Sequence, residues 1–229
     1  LLVRQQRQKS LPAQRGGKVV YFVTGLICIG LMLSGCSFSL SIGKDPTTAV
    51  AGGKNVDLMA DVKAQPWSEA PKIPDKAWLQ SISRFSARLL QESVKNNGNV
   101  MISPASVFLA LAMTVNGADS TTRDAMLSVL ADQDISVDQI NQISRDWMAL
   151  LVKSEPKTQV SVANSIWFRD GFVPYKPFLQ SNADYFNAGA RQLDFADEQA
   201  PDIINAWVKD ATNDLIDKIV EKISPSTVM

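Results

Sequence analysis

The reactive side chains of this chain are few, and their positions limit its chemistry. It contains no histidine and two cysteines, Cys28 and Cys36. Without imidazole there is no Ser-His-Asp or Cys-His nucleophile, no HExxH zinc site and no histidine pH switch. Both thiols fall in an apolar region near the N-terminus, so the residues after Cys36 carry no thiol nucleophile, cysteine metal cluster or disulfide. Carboxylates, lysines, serines and tyrosines remain. Asp194, Asp197 and Glu198 lie close in sequence, as a carboxylate-based hydrolase would need. Such a loop cluster reads more simply as a solvated turn. No enzyme, metal or cofactor is expected. The thiol with a distinctive setting is Cys36, preceded by Leu33, Ser34 and Gly35.

That setting is built from charge and hydropathy. The chain has 229 residues with 23 Lys plus Arg and 23 Asp plus Glu. Five of the basic residues, Arg4, Arg7, Lys9, Arg15 and Lys18, precede the first acidic one, Asp45. Beyond residue 35 there are 18 basic against 23 acidic residues, a net charge of −5. A mildly acidic body does not make the basic footprint that nucleic-acid binding needs. After the basic start, residues 19–33 read VVYFVTGLICIGLML. A membrane-spanning helix wants about 20 apolar residues, and this shorter run fits the apolar core of a signal peptide. Leu33-Ser34-Gly35-Cys36 resembles the bacterial lipoprotein box, which is cut before the cysteine so that its thiol takes a diacylglycerol. Small residues let an extended backbone enter the peptidase, and a thiolate is what forms a thioether. The competing reading is an uncleaved anchor with an incidental cysteine. Residues 1–35 are thus expected to be a lipoprotein signal peptide, with lipidation at Cys36.

Residues 36–75 carry Gly52-Gly53 and Pro46, Pro66, Pro71 and Pro74 with little periodicity. They read as a flexible, lipid-anchored tether, with Trp67 folding back on the body. Periodic structure begins near Asp75. Trp78, Ile82, Phe85 and Leu89 follow a helical stripe. Val100-Met101-Ile102 is a short buried-strand candidate. Ser103-Pro104 opens a helix over 104–115 that is apolar on nearly every side, which demands burial. One of Ser120, Thr121 and Thr122 caps a third helix over 122–131, and a fourth spans 136–153. Val160, Val162, Ile166 and Phe168 then alternate with polar or small residues, a strand of period two that puts Asn164 on the apolar face. A helix at 176–186, a strand at 191–195 and a helix at 200–222 complete the pattern.

Four stretches resemble the serpins, the family of serine-protease inhibitors. Asn99-Val100-Met101-Ile102-Ser103-Pro104-Ala105-Ser106 is similar to the family's strand-to-buried-helix signature. Leu111-Ala112-Met113, with Asn116-Gly117-Ala118 and Thr122, is similar to the run that follows it. Ser161 to Phe168 resembles a strand of the large central sheet. Ile204-Asn205-Ala206-Trp207-Val208-Lys209, with Thr212 and Ile216, resembles the helix lying across that sheet. Two departures stand out: Ser120 and Asp214 each occupy a position where the family often has glycine.

The resemblance implies an α+β fold, helices packed around a large central sheet, over residues 76–229. A serpin continues with further strands and an exposed reactive loop. This sequence therefore reads as the N-terminal part of a serpin, from a truncated gene or an incomplete sequence, inactive alone and poorly covered at its strand edge. The implied function is serine-protease inhibition. A protease attacks the reactive loop, forms an acyl-enzyme, and is dragged along as the cut loop inserts into the sheet. The alternative is a non-inhibitory serpin-like lipoprotein acting as a binding or structural module. Ser103, Pro104, Ser106, Asn116 and Asn164 are the candidates for the shutter that lets the sheet part. Trp207, Val208 and Thr212 belong to the cross-sheet helix. The expected partners are a serine protease and a membrane, the latter through the lipid, with neither nucleic acid nor metal. The expected location is the bacterial cell envelope, facing the periplasm or the extracellular space.

Overall fold

The computed structural model describes residues 55–67, 69–94, 99–131, 135–152 and 158–229, and the backbone of three short strands nearer the N-terminus. These are β1 (Leu2–Arg4), β2 (Lys18–Val23) and β3 (Leu31–Leu33). The body starts with β4 (Val56–Asp57) and four helices: α1 (Lys76–Ser93), α2 (Pro104–Val115), α3 (Ser120–Leu130) and α4 (Val137–Val152). Then come β5 (Thr158–Arg169), α5 (Lys176–Phe186), β6 (Gly189–Leu193) and α6 (Ala200–Ala211).

Local signals explain the boundaries. Asp75 caps α1 by accepting a hydrogen bond from Trp78 N at 2.8 Å. The α3 cap is Asp119, whose carboxylate accepts from Ser120 N at 2.7 Å, not one of the three hydroxyl residues after it. Asn187 ends α5 in the left-handed region at φ 48°, where asparagine is among the better-tolerated side chains. Helix α5 is the crossover that joins β5 to its parallel neighbour β6.

Strand β5 is the axis of the molecule. Val162, Ile166 and Phe168 enter a large core with Trp78, Phe85, Phe108, Met113, Leu130, Ile140, Met148 and Phe186. Phe108 is fully buried, with ring centroids of Trp78, Phe85 and Trp147 at 5.1, 5.7 and 6.2 Å, all edge-on. Each such pair adds about 0.5–1.5 kcal/mol beyond area burial. Trp167, on the opposite face of β5, enters a second core with Leu193, Phe195, Ile203, Ile204 and Val208. Helix α6 thus roofs the face that alternation alone had marked as polar, and β5 is buried on both sides from Val162 to Phe168.

Four sequence expectations are corrected. The stretch read as one helix to 222 stops at Ala211. Asn213 and Asp214 adopt φ of 49° and 60°, and Asp214 N donates to Lys209 O at 2.9 Å, so the chain turns back instead of continuing. Val100 and Met101 form no strand and are exposed. The tether is shorter than 36–75. Val56–Asp57 pairs antiparallel with β6, and Leu58, Met59, Val62 and Trp67 pack on the large core. Gln65 N donates to Asp184 Oδ1 at 3.1 Å, and Arg145 reaches Gln65 Oε1 at 3.1 Å. The β5 edge away from β6 is occupied at its end, where Arg169 N donates to Val228 O at 2.9 Å. Along the rest of it β3 pairs antiparallel with residues 164–166 and β2 parallel with residues 158–163, so that part is covered only while residues 1–35 stay attached.

Candidate functional site

The start of α2 places Ser103 and Ser106 one turn apart. Ser103 has extended backbone and Pro104 takes the first turn, where its missing N–H costs no hydrogen bond. The Ser103 hydroxyl does not cap the helix. It meets the Ser106 hydroxyl at 2.8 Å, and both residues are buried. Either oxygen can donate, so this is a hydroxyl pair whose direction reverses by rotating two protons. Such a pair can change partners without backbone movement, which a bulky side chain could not do.

Asn116 closes the other end of α2. Thirteen residues at 1.5 Å each separate it from Ser103 by about 20 Å, so the five shutter candidates do not form one cluster. Asn116 and Asn141 of α4 exchange amides: Asn116 Nδ2 donates to Asn141 Oδ1 at 2.9 Å, and Asn141 Nδ2 returns a bond to Asn116 Oδ1 at 2.8 Å. Asn116 Nδ2 also donates to Ala112 O at 2.9 Å. Asn164 is separate again. Its Nδ2 donates to Phe186 O at the end of α5 and lies 3.5 Å from Met148 Sδ, while its buried Oδ1 has no partner among the described residues. A buried carbonyl oxygen left so costs about 1–3 kcal/mol, which makes Asn164 a place where β5 stores an unmet acceptor.

In α6, Val208 is buried and Trp207 lies edge-on to Trp167 at 6.2 Å. Thr212 is fully buried at the helix end. Its Oγ1 donates to Val208 O at 2.8 Å and accepts from Ile216 N at 3.1 Å, which fastens the reversal that follows. Lys209 pairs with Asp217 at 2.9 Å across the same turn, and that hydrogen bond raises its pKa above the ordinary lysine value. Cys36 lies outside the described residues, and among the described residues no helix is long and apolar enough to cross a membrane.

The sequence reading missed two partners. Asn141 sits beside Ile140 in an apolar stripe, a polar residue where α4 turns inward. Asn205, two residues before Trp207, lies within the family-like stretch, which gives it no role. It holds the chain after α6 with three hydrogen bonds: Nδ2 to Val220 O at 2.7 Å, and Oδ1 from Ile219 N and Val220 N at 2.8 and 2.9 Å.

This two-core layout about one central strand is matched by a known family. The family model described as "Serpin (serine protease inhibitor)" covers residues 80–229. The chain belongs to the serpin family. Among similar proteins, glia-derived nexin of Homo sapiens is 32% identical over 141 residues, 60% of this chain and 35% of that protein. An uncharacterized serpin-like protein of Thermococcus kodakarensis is 30% identical over 158 residues, 67% of this chain and 36% of that protein. The crystal structure of the thermophilic serpin tengpin in its native state superposes with a TM-score of 0.68 at 40% identity. It covers 76% of this chain and 44% of tengpin. This serpin chain therefore spans less than half the length of the relatives it matches. Its two departures from glycine fall where glycine is physically favoured, since Ser120 has φ 48° and Asp214 φ 60°.

Proposed function

We propose that these residues are the N-terminal part of a serpin that inhibits serine proteases and is held at the bacterial envelope by a lipid on Cys36. The observation that carries the inhibitory part is the family match over residues 80–229, joined to a sheet strand buried on both faces. In this reading the protease acylates itself on a reactive loop, which then enters the sheet as a new strand and gains main-chain hydrogen bonds. Ser103 and Ser106 exchange hydroxyl partners beneath the parting sheet, with Pro104 fixing the first turn they stand on. Asn116 keeps α2 on α4 through Asn141, and Asn164 ties β5 to the end of α5. Trp207, Val208 and Thr212 seat α6, which yields as the strand enters. None of residues 1–229 supplies the reactive loop, so this segment alone forms no complex with a protease.

The anchoring part is supported by the basic start, the short apolar run and Leu33-Ser34-Gly35-Cys36. Cleavage before Cys36 and acylation would place the body outside the cytoplasm on a membrane, in the periplasm or facing the extracellular space. More than one acyl chain holds a protein stably, which a single chain does not. The test is incubation of the whole membrane-extracted serpin, of which residues 1–229 are a part, with a panel of serine proteases, followed by denaturing electrophoresis. A band at the summed mass that survives detergent supports inhibition. Cleavage of the serpin without such a band with any protease refutes it and favours the binding-module alternative.

A further inference from the structure

We propose that the β5–α5 loop, Phe172 to Tyr175, rests on the membrane to which this serpin is anchored; the inference relies on the lipidation of Cys36 proposed above. The loop exposes three large apolar or aromatic side chains in a run of four residues. Val173 and Tyr175 are 85% and 86% exposed, and Phe172 is 40% exposed with its ring stacked on Phe168 at 5.4 Å. These side chains are presented from a held backbone. Phe172 N donates to Arg169 O at 3.0 Å, and Gln192 Nε2 donates to Phe172 O at 2.8 Å. Gly171 makes the sharp approach at φ 81°, a conformation that strains other residues.

The occupant follows from where the tether arrives. The chain enters the body at Val56, which pairs with Gln192, the same residue that holds the loop carbonyl. Asp170 N donates to Leu193 O at 2.9 Å, so the end of β5, the end of β6 and the tether entry share one edge. Only 18 residues, 37–54, lie between Cys36 and Asn55. Any chain of that length has an average coil reach of about 23 Å, less than the roughly 40 Å breadth expected of a body this size. An anchor so short brings the entry edge, and with it the loop, against the bilayer more often than any other face. The loop chemistry suits that surface. A valine and an aromatic enter the headgroup boundary, the tyrosine hydroxyl stays wet, and exposed Lys176 meets lipid phosphates.

The test uses the full chain expressed with its leader, carrying Val173→Cys labelled with an environment-sensitive dye. Met101→Cys is the control, because Met101 is also exposed and apolar but lies at the opposite end of α2 from Gly117, whose neighbour is Phe178 of α5. Both are reconstituted in phosphatidylglycerol and phosphatidylethanolamine vesicles containing brominated lipid. The expected result is at least ~2-fold quenching with a blue shift at position 173, and neither at position 101. Flotation with the vesicles without quenching at position 173 overturns the loop contact and leaves the anchor standing. A blue shift without lipid quenching means that protein covers the loop, and also overturns it. A second dye on Cys36, with no flotation, shows a free thiol and overturns the anchor and the loop contact together.

Discussion

Removing the Asn205 side chain should release the chain that follows α6. In Asn205→Ala, Ile219 N, Val220 N and Val220 O lose partners at 2.8, 2.9 and 2.7 Å. At about 0.5–1.5 kcal/mol for each hydrogen bond, the loss is about 2–4 kcal/mol. The partly buried Ile216, Ile219, Val220 and Ile223 lie on the second core through this segment, so loosening it adds to the loss. For a body of this size about 2–4 °C of melting temperature follows each kcal/mol, so a drop of roughly 5–15 °C is expected. The isosteric Asn205→Asp keeps the acceptor but faces Val220 O with a carboxylate oxygen, and it should recover only part of the loss. Urea unfolding measures the cost, and amide exchange at Ile219 and Val220 locates it. A cost below about 0.5 kcal/mol, or a larger cost with those two amides still protected, would refute the clamp.

Asp214→Gly should stabilise by about 0.5–1 kcal/mol because φ is 60° there, whereas Asp214→Ala should destabilise; a thermal melt of both separates backbone strain from the weak 3.9 Å contact with Lys209. A double-mutant cycle on Asn116→Ala and Asn141→Ala should show a coupling of about 1–2 kcal/mol by urea unfolding, since each amide leaves the other's oxygen unpaired. Gly117→Ala should cost about 1 kcal/mol or more, because its Cβ would stand 3.0 Å from two ring carbons of Phe178, and Phe178→Leu should reduce that cost in the same measurement.

The helices were legible because their caps and stripes are local. Helices α2 and α5 lie where Pro104 and Pro177, with Asn116 and Asn187, punctuate the pattern. What escaped depends on contacts far along the chain. The apolar run after Ala211 keeps a helical period, yet Thr212 and Asn205 fold it back, and neither partner can be read from spacing. Alternation on β5 puts Ser165 among the polar or small residues of an outer face, but α6 covers that face, and Trp167 Nε1 donates to Ser165 Oγ at 2.9 Å. The strap at 55–67 forms no helix and only the two-residue strand β4, so no period marks it, and its order comes from β6, α4 and α5. The shutter candidates were singled out one by one, four of them from Ser103 to Asn116 and Asn164 in the middle of β5. Their distribution along α2 and onto β5 needed three dimensions.

The most direct test of the whole account is the intact mass of the product formed when the whole membrane-extracted serpin, of which residues 1–229 are a part, meets a serine protease. The account predicts one covalent species whose serpin portion begins at acylated Cys36, joined to the protease and lacking the peptide released beyond the cut. An unacylated start, or intact protease beside a simply cleaved chain, would contradict it.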